Sequence, residues 1–265
     1  MCVVADTPYT EEQRQELLKQ VESMPEDCEF VFHLGDLRSS AGFTECEQET
    51  YTNASIIMSR SSKPVFMLLG DNDWNDCPND EEALDFWHAQ FDGFLDTEWP
   101  RARARLNVTS QPTRIENIYF IRKKALFIGL NIVGGWVHDE DEWEERLESN
   151  FNWTRDLIQY HVVDSQDANV VVMMAHASPV DDHSLFFESM RDYIIYELGN
   201  TVPILYLNGD THYWDYEPYF YDQESWLRIT LEGESREPIL KVFVDGSAVG
   251  GTVEEAFSYD RRLDD

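Results

Sequence analysis

Asp36 in FVFHLGD, Asp71 in VFMLLGDNDW, His176 in VVMMAHASP and the pair Asp210 and His212 in PILYLNGDTH each close a short apolar run, and Asp6 follows MCVVA. Carboxylates and imidazoles gathered at one place repel each other or lose hydration unless a cation holds them together. The recurrence points to a metal site, with these six residues as its candidate ligands. Each run is rich in Val, Ile, Leu and Phe and ends in a Gly or a ligand-type side chain, the pattern of a strand buried on both faces. The C-terminal ends of such strands meet along one edge, where open α/β sheets bind their ligands.

The elements between the runs support that placement. Thr10-Glu-Glu-Gln13 is a capping-box pattern opening a helix to about Met24, with Leu17, Leu18 and Val21 on its inner stripe. Helices are expected near 46–60 and from Asn79 through Phe91, with strands at about 29–34 and 65–69, which makes a βαβαβ start. Residues 92–114 read as irregular, ahead of a hairpin, IYFI then ALFIGL, turned at Arg122-Lys123-Lys124. A long helix from Trp143 to about Val163, a strand over 170–175, a helix near 184–198, a strand over 204–207 and a final strand pair at about 226–231 and 239–245 complete the order. The class is α/β, read as two mixed sheets packed face to face and flanked by helices. With no linker, repeat or low-complexity tract, residues 1–265 are read as one domain.

Gly35-Asp36 and Gly70-Asp71 stand 35 residues apart, and in each the glycine lets the chain turn sharply off a strand and aim the carboxylate back over the strand ends. One Gly-Asp pair is an ordinary turn or cap. Three of them, each directly after a strand-like run, with a His two residues past the third, form a pattern. The segments Asp6-Thr7-Pro8, Gly35-Asp36, Gly70-Asp71-Asn72-Asp73, His176 and Gly209-Asp210-Thr211-His212 resemble, in order, the signature of the calcineurin-like metallophosphoesterases: Asp-x-His, Gly-Asp, Gly-Asn-His-Asp/Glu, a lone His, and Gly-His-x-His.

The resemblance implies a four-layer αββα sandwich holding two divalent metal ions and hydrolysing a phosphate ester. Asp36 would bridge the ions, Asp6 and His212 would complete one coordination sphere, and Asp71, His176 and Asp210 the other. Asn72 and Asp73 would be the catalytic residues. Two cations about 3.5–4 Å apart would clamp a phosphoryl group and activate water for in-line attack. Three departures bear on this: Pro8, Asn72 and Asp210 stand where the family has histidines. Proline cannot ligate through its side chain, and Asn72 can donate a hydrogen bond but not shuttle a proton at neutral pH. Four carboxylates would nearly neutralise two divalent ions, so among Mn, Fe, Mg, Ca and Zn the harder ions gain ground. The competing reading is a metal-binding scaffold of the same fold that has lost turnover and acts as a binding module.

Arg38, Trp74, His183 and Trp214 each follow a candidate ligand in a loop and are candidates for substrate contact, with surface or packing roles as the alternative. His33 lies inside a strand and reads as a satisfied core histidine. Cys46 and Cys77 follow adjacent strands at the site edge and are the expected disulfide, with free buried thiols the alternative; no Cys-x-x-Cys occurs among the four cysteines.

Asp and Glu number 52 against 20 Lys and Arg, a net charge of -32, which disfavours nucleic acid and anionic membranes as partners. No run of about 18 apolar residues could span a membrane. Gly-x-Ser-x-Gly, Gly-x-Gly-x-x-Gly and Walker patterns are absent. Sequons at Asn53, Asn107 and Asn152 are permissive for glycosylation of a secreted protein. The expected location is extracellular or secretory, with a leader missing ahead of Met1; a cytoplasmic location is the alternative. Substrate identity and oligomeric state are not legible.

Overall fold

A computed structural model of the chain describes residues 1–40 and 46–262. Its strands are β1 (Cys2–Val4), β2 (Val31–His33), β3 (Val65–Met67), β4 (Thr109–Gln111), β5 (Arg114–Arg122), β6 (Ala125–Gly129), β7 (Val170–Met174), β8 (Ile204–Asn208), β9 (Asp215–Glu217), β10 (Trp226–Thr230), β11 (Leu240–Val244) and β12 (Phe257–Asp260). The helices are α1 (Glu11–Glu22), α2 (Gln48–Met58), α3 (Asp80–Phe91), α4 (Phe94–Glu98), α5 (Ala102–Leu106), α6 (Glu140–Ile158), α7 (Ser184–Tyr196) and α8 (Val253–Ala256).

Two mixed sheets flanked by helices form the sandwich. One runs β12-β11-β1-β2-β3 and the other β4-β5-β6-β7-β8-β10-β9. Strand alternation explains the layers, because successive side chains point to opposite faces. Val170, Val172 and Met174 join Val3, Phe32, Leu68, Leu205 and Leu207 in a core between the sheets, where Phe32, Phe66 and Phe120 stack. Val171 and Met173 turn the other way, into a core with Leu147, Phe187, Met190 and Ile194 of the covering helices. Every residue of β7 and β8 is buried, which is why these runs carry no polar alternation.

Helix starts follow their caps. Thr10 Oγ1 accepts from Gln13 N at 3.2 Å and Asn79 Oδ1 from Glu82 N at 3.4 Å. The reciprocal bond of the first cap goes elsewhere: Gln13 Oε1 accepts from Tyr9 N at 2.5 Å. The β5–β6 hairpin turns at Lys123 and Lys124, both with positive φ.

Three expectations change. Residues 92–114 hold two short helices, α4 and α5, and β4; Phe94, Leu95, Ala102 and Leu106 are buried and fix them against the sheets. The strands at 226–231 and 239–245 do not pair: β10 lies parallel to β8 in one sheet, and β11 antiparallel to β1 in the other. β9 and β12 are additional short strands that pair antiparallel with β10 and β11 at the sheet edges. All four cysteines are bonded, Cys46 to Cys77 and also Cys2 to Cys28, a pair that joins β1 to the segment before β2.

Candidate metal centre

The parallel strands β1, β2, β3, β7 and β8 each deliver a site residue within four positions of their C-terminal ends. Asp6, Asp36, Asp210 and His212 do so with positive φ of 55°, 60°, 76° and 58°. Non-glycine residues adopt this conformation at a cost and cluster at functional sites when they do. The two Gly-Asp turns pack against each other. A Cβ on Gly35 would collide with the Gly70 backbone, and one on Gly70 with the Asp36 carboxylate, so only glycine allows the approach.

Among the described residues, two groups bring three donors within 4.8 Å of one another: Asp6, Asp36 and His212, and Asp36, Asp71 and His176. Asp36 belongs to both. Its Oδ1 faces His176 Nε2 at 3.4 Å, while its Oδ2 accepts from Asn72 Nδ2 at 2.6 Å and from the Tyr9 hydroxyl at 3.4 Å. His176 Nε2 and Asp71 Oδ1 lie 3.0 Å apart and His212 Nε2 and Asp6 Oδ1 3.4 Å. Asp71 Oδ1 and His176 Nε2 are buried atoms that complete no hydrogen bond. Bonds of about 2.0–2.2 Å to one cation place neighbouring donors roughly 3.0–3.5 Å apart, so these residues fit a metal.

The imidazoles are oriented as metal ligands usually are, with the far nitrogen held by a second group. His176 Nδ1 pairs with the Leu34 carbonyl at 3.0 Å and His212 Nδ1 with Glu234 Oε1 at 3.0 Å. The protonation states follow from burial and charge. Burial and the neighbouring Asp71 push Asp36 well above the usual carboxylate range. Burial acts upward on Asp71 as well, but His176 outweighs it and holds Asp71 low. Burial would lower His176; Asp36, Asp71 and Asp6 overcome it and raise it well above 6.5. His212 is raised to about 9 by its contact with Asp6, against burial and with help from Glu234.

The other candidates fall elsewhere. Asp210 lies outside both groups; its Oδ2 accepts from Ser178 N at 2.9 Å, and its own N–H donates to the Asp6 carboxylate at 3.0 Å. Asp73 is fully buried and ties two loops together, accepting from Asp36 N at 2.9 Å, Leu37 N at 2.7 Å and Gly70 N at 2.8 Å. Burial pushes it up to about 6 against those three amides. Both of its oxygens are engaged by backbone, so it does not face a substrate as a catalytic group. Trp74 is buried with the Arg146 guanidinium 5.1 Å from its ring centroid, and His183 is buried with Nε2 on the Val133 carbonyl at 2.8 Å. Both side chains are packed inside the protein rather than on its surface. Half-buried Arg38 donates to the Asn72 carbonyl at 3.3 Å and to Cys46 Sγ at 3.1 Å, and Trp214 stacks under Arg261. His33 uses both ring nitrogens, with Thr7 O at 2.7 Å and Gly35 N at 3.2 Å.

Sequence reasoning missed Tyr9 and Glu234. Tyr9 had one legible signal, a hydroxyl-bearing side chain next to the proline that stands at a ligand position. Glu234 lies in a loop that nothing in the sequence marks.

No family model matches the chain, and neither does any curated protein. Among solved structures, the chain is similar to a 5'-nucleotidase from Candida albicans, with a TM-score of 0.56 at 10% identity over 97% of this chain and 49% of that one. It is also similar to the protein TT1561 of Thermus thermophilus, with a TM-score of 0.48 at 13% identity over 98% and 97% of the two chains. The chain spans about half the length of the nucleotidase. The likeness is one of fold, an α/β sandwich of two mixed sheets flanked by helices, and it is consistent with the metallophosphoesterase fold.

Proposed function

We propose that residues 1–265 form one domain that hydrolyses phosphate esters with two metal ions, held by Asp6, Asp36 and His212 on one side and Asp36, Asp71 and His176 on the other. The observation that carries this reading is the shared carboxylate: Asp36 belongs to both groups, and its Oδ1 lies 3.4 Å from His176 Nε2. Two cations bound there would polarise a phosphoryl oxygen and lower the pKa of an attacking water.

The remaining residues support that chemistry from the side. Asn72 Nδ2 steadies Asp36, and its buried, unpartnered Oδ1 leaves the amide free to reorient toward a phosphoryl oxygen. An amide moves no proton at neutral pH, so turnover favours esters with good leaving groups. Asp73 and Asp210 act by positioning: one locks the Asp36 and Asp71 loops, the other aligns Asp6. Arg38, held at the Asn72 carbonyl, is a candidate partner for a phosphate. The two disulfides are those an oxidising compartment permits, which supports the secretory location. No helix among the described residues is long and apolar enough to cross a membrane.

The test is hydrolysis of one phosphomonoester and one diester by metal-stripped protein re-supplied in turn with Mn²⁺, Mg²⁺, Ca²⁺ and Zn²⁺, beside Asp36→Asn. Metal-dependent turnover that the variant loses establishes the reading and tells monoester from diester preference. Silence with every ion, in protein that binds metal, leaves the non-catalytic scaffold. Asn72→His should raise turnover if the missing histidine is what limits it.

A further inference from the structure

β6 runs parallel to β7 and ends at the same edge as the donor-bearing strands, yet the loop that follows it contributes no donor to either group. That loop runs along the site instead. Ile132 O accepts from His176 N at 3.2 Å and from Ala177 N at 2.9 Å, and Val133 O pairs with His183 Nε2 at 2.8 Å. A Cβ on Gly134 would stand 2.8 Å from Asp210 Oδ1, and one on Gly135, where φ is 77°, would collide with the Asp76 carboxylate. The two glycines let the backbone lie directly on the turns that carry Asp210 and Asp76. The next residue of the loop is Trp136, whose side chain is 69% exposed.

The exposed indole stands on a fixed base. Trp136 N donates to Asp76 Oδ1 at 3.2 Å, Trp136 O accepts from Asn75 Nδ2 at 2.9 Å, and Asp76 N donates in turn to Asp71 O at 2.9 Å. Two hydrogen bonds therefore tie Trp136 to a candidate metal ligand. Single exposed apolar side chains are ordinary on a protein surface. An indole held on a rigid rim beside a site differs in one respect: a ring that stacks on it pays little to order the protein side of the contact. The net charge of -32 opposes the approach of any phosphate ester, so binding has to draw on an uncharged part of the substrate as well.

We propose that Trp136 determines specificity and that the substrate is a phosphate ester of a phenol, its ring stacked on the indole while its phosphate lies at the two donor groups. The inference rests on the proposed hydrolase reading above. A second observation selects phenols among ring-bearing alcohols. Asn72, beside Asp36, moves no proton at neutral pH, so the leaving oxygen has to depart as an anion. A phenol, with a pKa of about 10, does so readily; an aliphatic alcohol, the sugar hydroxyl of a nucleotide included, does not. In the step, the oxygen of a water bonds to phosphorus and the bond from phosphorus to the aryl oxygen breaks. That oxygen keeps the electron pair and leaves as phenolate, and the proton of the water goes to solvent; nothing is oxidised or reduced.

The experiment reads binding first, by calorimetric titration of Mn²⁺-loaded full-length protein with phenylphosphonate and methylphosphonate, which keep the phosphoryl oxygens and have no ester bond to cleave. Trp136→Ala and Trp136→Phe are titrated beside the parent, with folding checked by circular dichroism. The expected result is phenylphosphonate bound about 3–10-fold more tightly than methylphosphonate by the parent, a margin that Trp136→Ala removes and Trp136→Phe largely restores, with methylphosphonate unchanged throughout. Equal affinity of the parent for the two, or a Trp136→Ala variant that keeps the margin, overturns the assignment of Trp136 and leaves the metal site standing. A parent chain that binds neither phosphonate, or binds them as well metal-stripped as loaded, overturns the hydrolase reading and the inference with it. In turnover, phenyl phosphate should exceed glycerol phosphate in kcat, and the reverse order overturns the phenol as leaving group. A peptide bearing a phosphonate analogue of phosphotyrosine identifies the source: tighter binding than phenylphosphonate supports a tyrosine side chain, and weaker binding supports a small molecule.

Discussion

The group of Asp36, Asp71 and His176 is buried throughout, whereas that of Asp6, Asp36 and His212 opens to solvent through a His212 side chain that is 30% exposed. The far nitrogen of His176 rests on a backbone carbonyl at the end of β2, and that of His212 on the Glu234 side chain in the loop after β10. One site is therefore anchored by strand ends that cannot move without opening the core. The other is closed by Tyr9, His212 and Glu234, all on loops. In the buried group the charges have no water to compensate them, so a cation bound there would become part of the packing. In the other group the half-buried His212 gives solvent a way in, so on the proposed reading an ion there would exchange more readily.

Because Asp36 is the only residue the two groups share, Asp36→Asn should produce the largest effect. Both ions are expected to be lost, and with them turnover. The sign of the stability change depends on metal. Burial and Asp71 already make a charged Asp36 unfavourable, so the metal-free variant should be as stable as the parent or more so. Metal at 100 times its Kd should stabilise the parent by about 2.7 kcal/mol and the variant hardly at all. Thermal unfolding with and without metal reads both. Retention of one ion in the variant would mean that one group binds without Asp36, and the bridge would fail.

Removing an imidazole from each group separates them next. His176→Ala leaves Asp36 and Asp71 buried without their counter-charge, and stripping one partner from such a set costs about 3–5 kcal/mol. His212→Ala removes the half-buried imidazole from a single buried carboxylate, Asp6, and should cost less than His176→Ala in metal-free protein. Urea denaturation of the two metal-free variants measures the contrast. Equal losses would show that burial is not what distinguishes the groups.

The ligand-bearing strands were legible because each is a closed apolar run: β2, β3, β7 and β8 could be nothing else that ends in Gly-Asp, His or Gly-Asp-x-His. Their burial on both faces made them readable one at a time. The partners of β10 and β11 were not, since which sheet a strand joins is decided by side chains far away in sequence, and the two fall in different sheets. α4 and α5 are five residues each and carry too little periodicity to see; burial of Phe94, Leu95 and Leu106 makes them. At the site, the types and the order of the candidate ligands are legible in the sequence. Position within the site is not. Asp73 and Asp71 look alike in GDND, and only the direction of three backbone N–H groups separates the carboxylate that ties loops from the one that faces the centre. Glu234 reaches His212 across 22 residues from a loop, and no local pattern encodes that contact.

The smallest expected effect is on pH, and it isolates the open group. In the folded, metal-free chain His212 is raised to about 9, first by Asp6 and then by Glu234, with burial opposing. Its unfolded value is near 6.5, so this ion pairing stabilises the fold fully below about pH 6.5 and is lost as the pH rises through about 9. The ring is partly exposed, so screening keeps that stability change small. The effect on metal is larger, because a cation must displace the proton on Nε2. One proton should leave His212 for each ion bound at the open site. Affinity there should then climb about tenfold per pH unit between roughly 6.5 and 9 and level off above. Calorimetric titration of metal in buffers of different ionisation enthalpy counts the protons directly. A count of zero would show that no proton on His212 is displaced and would remove His212 from the ligands of the open site.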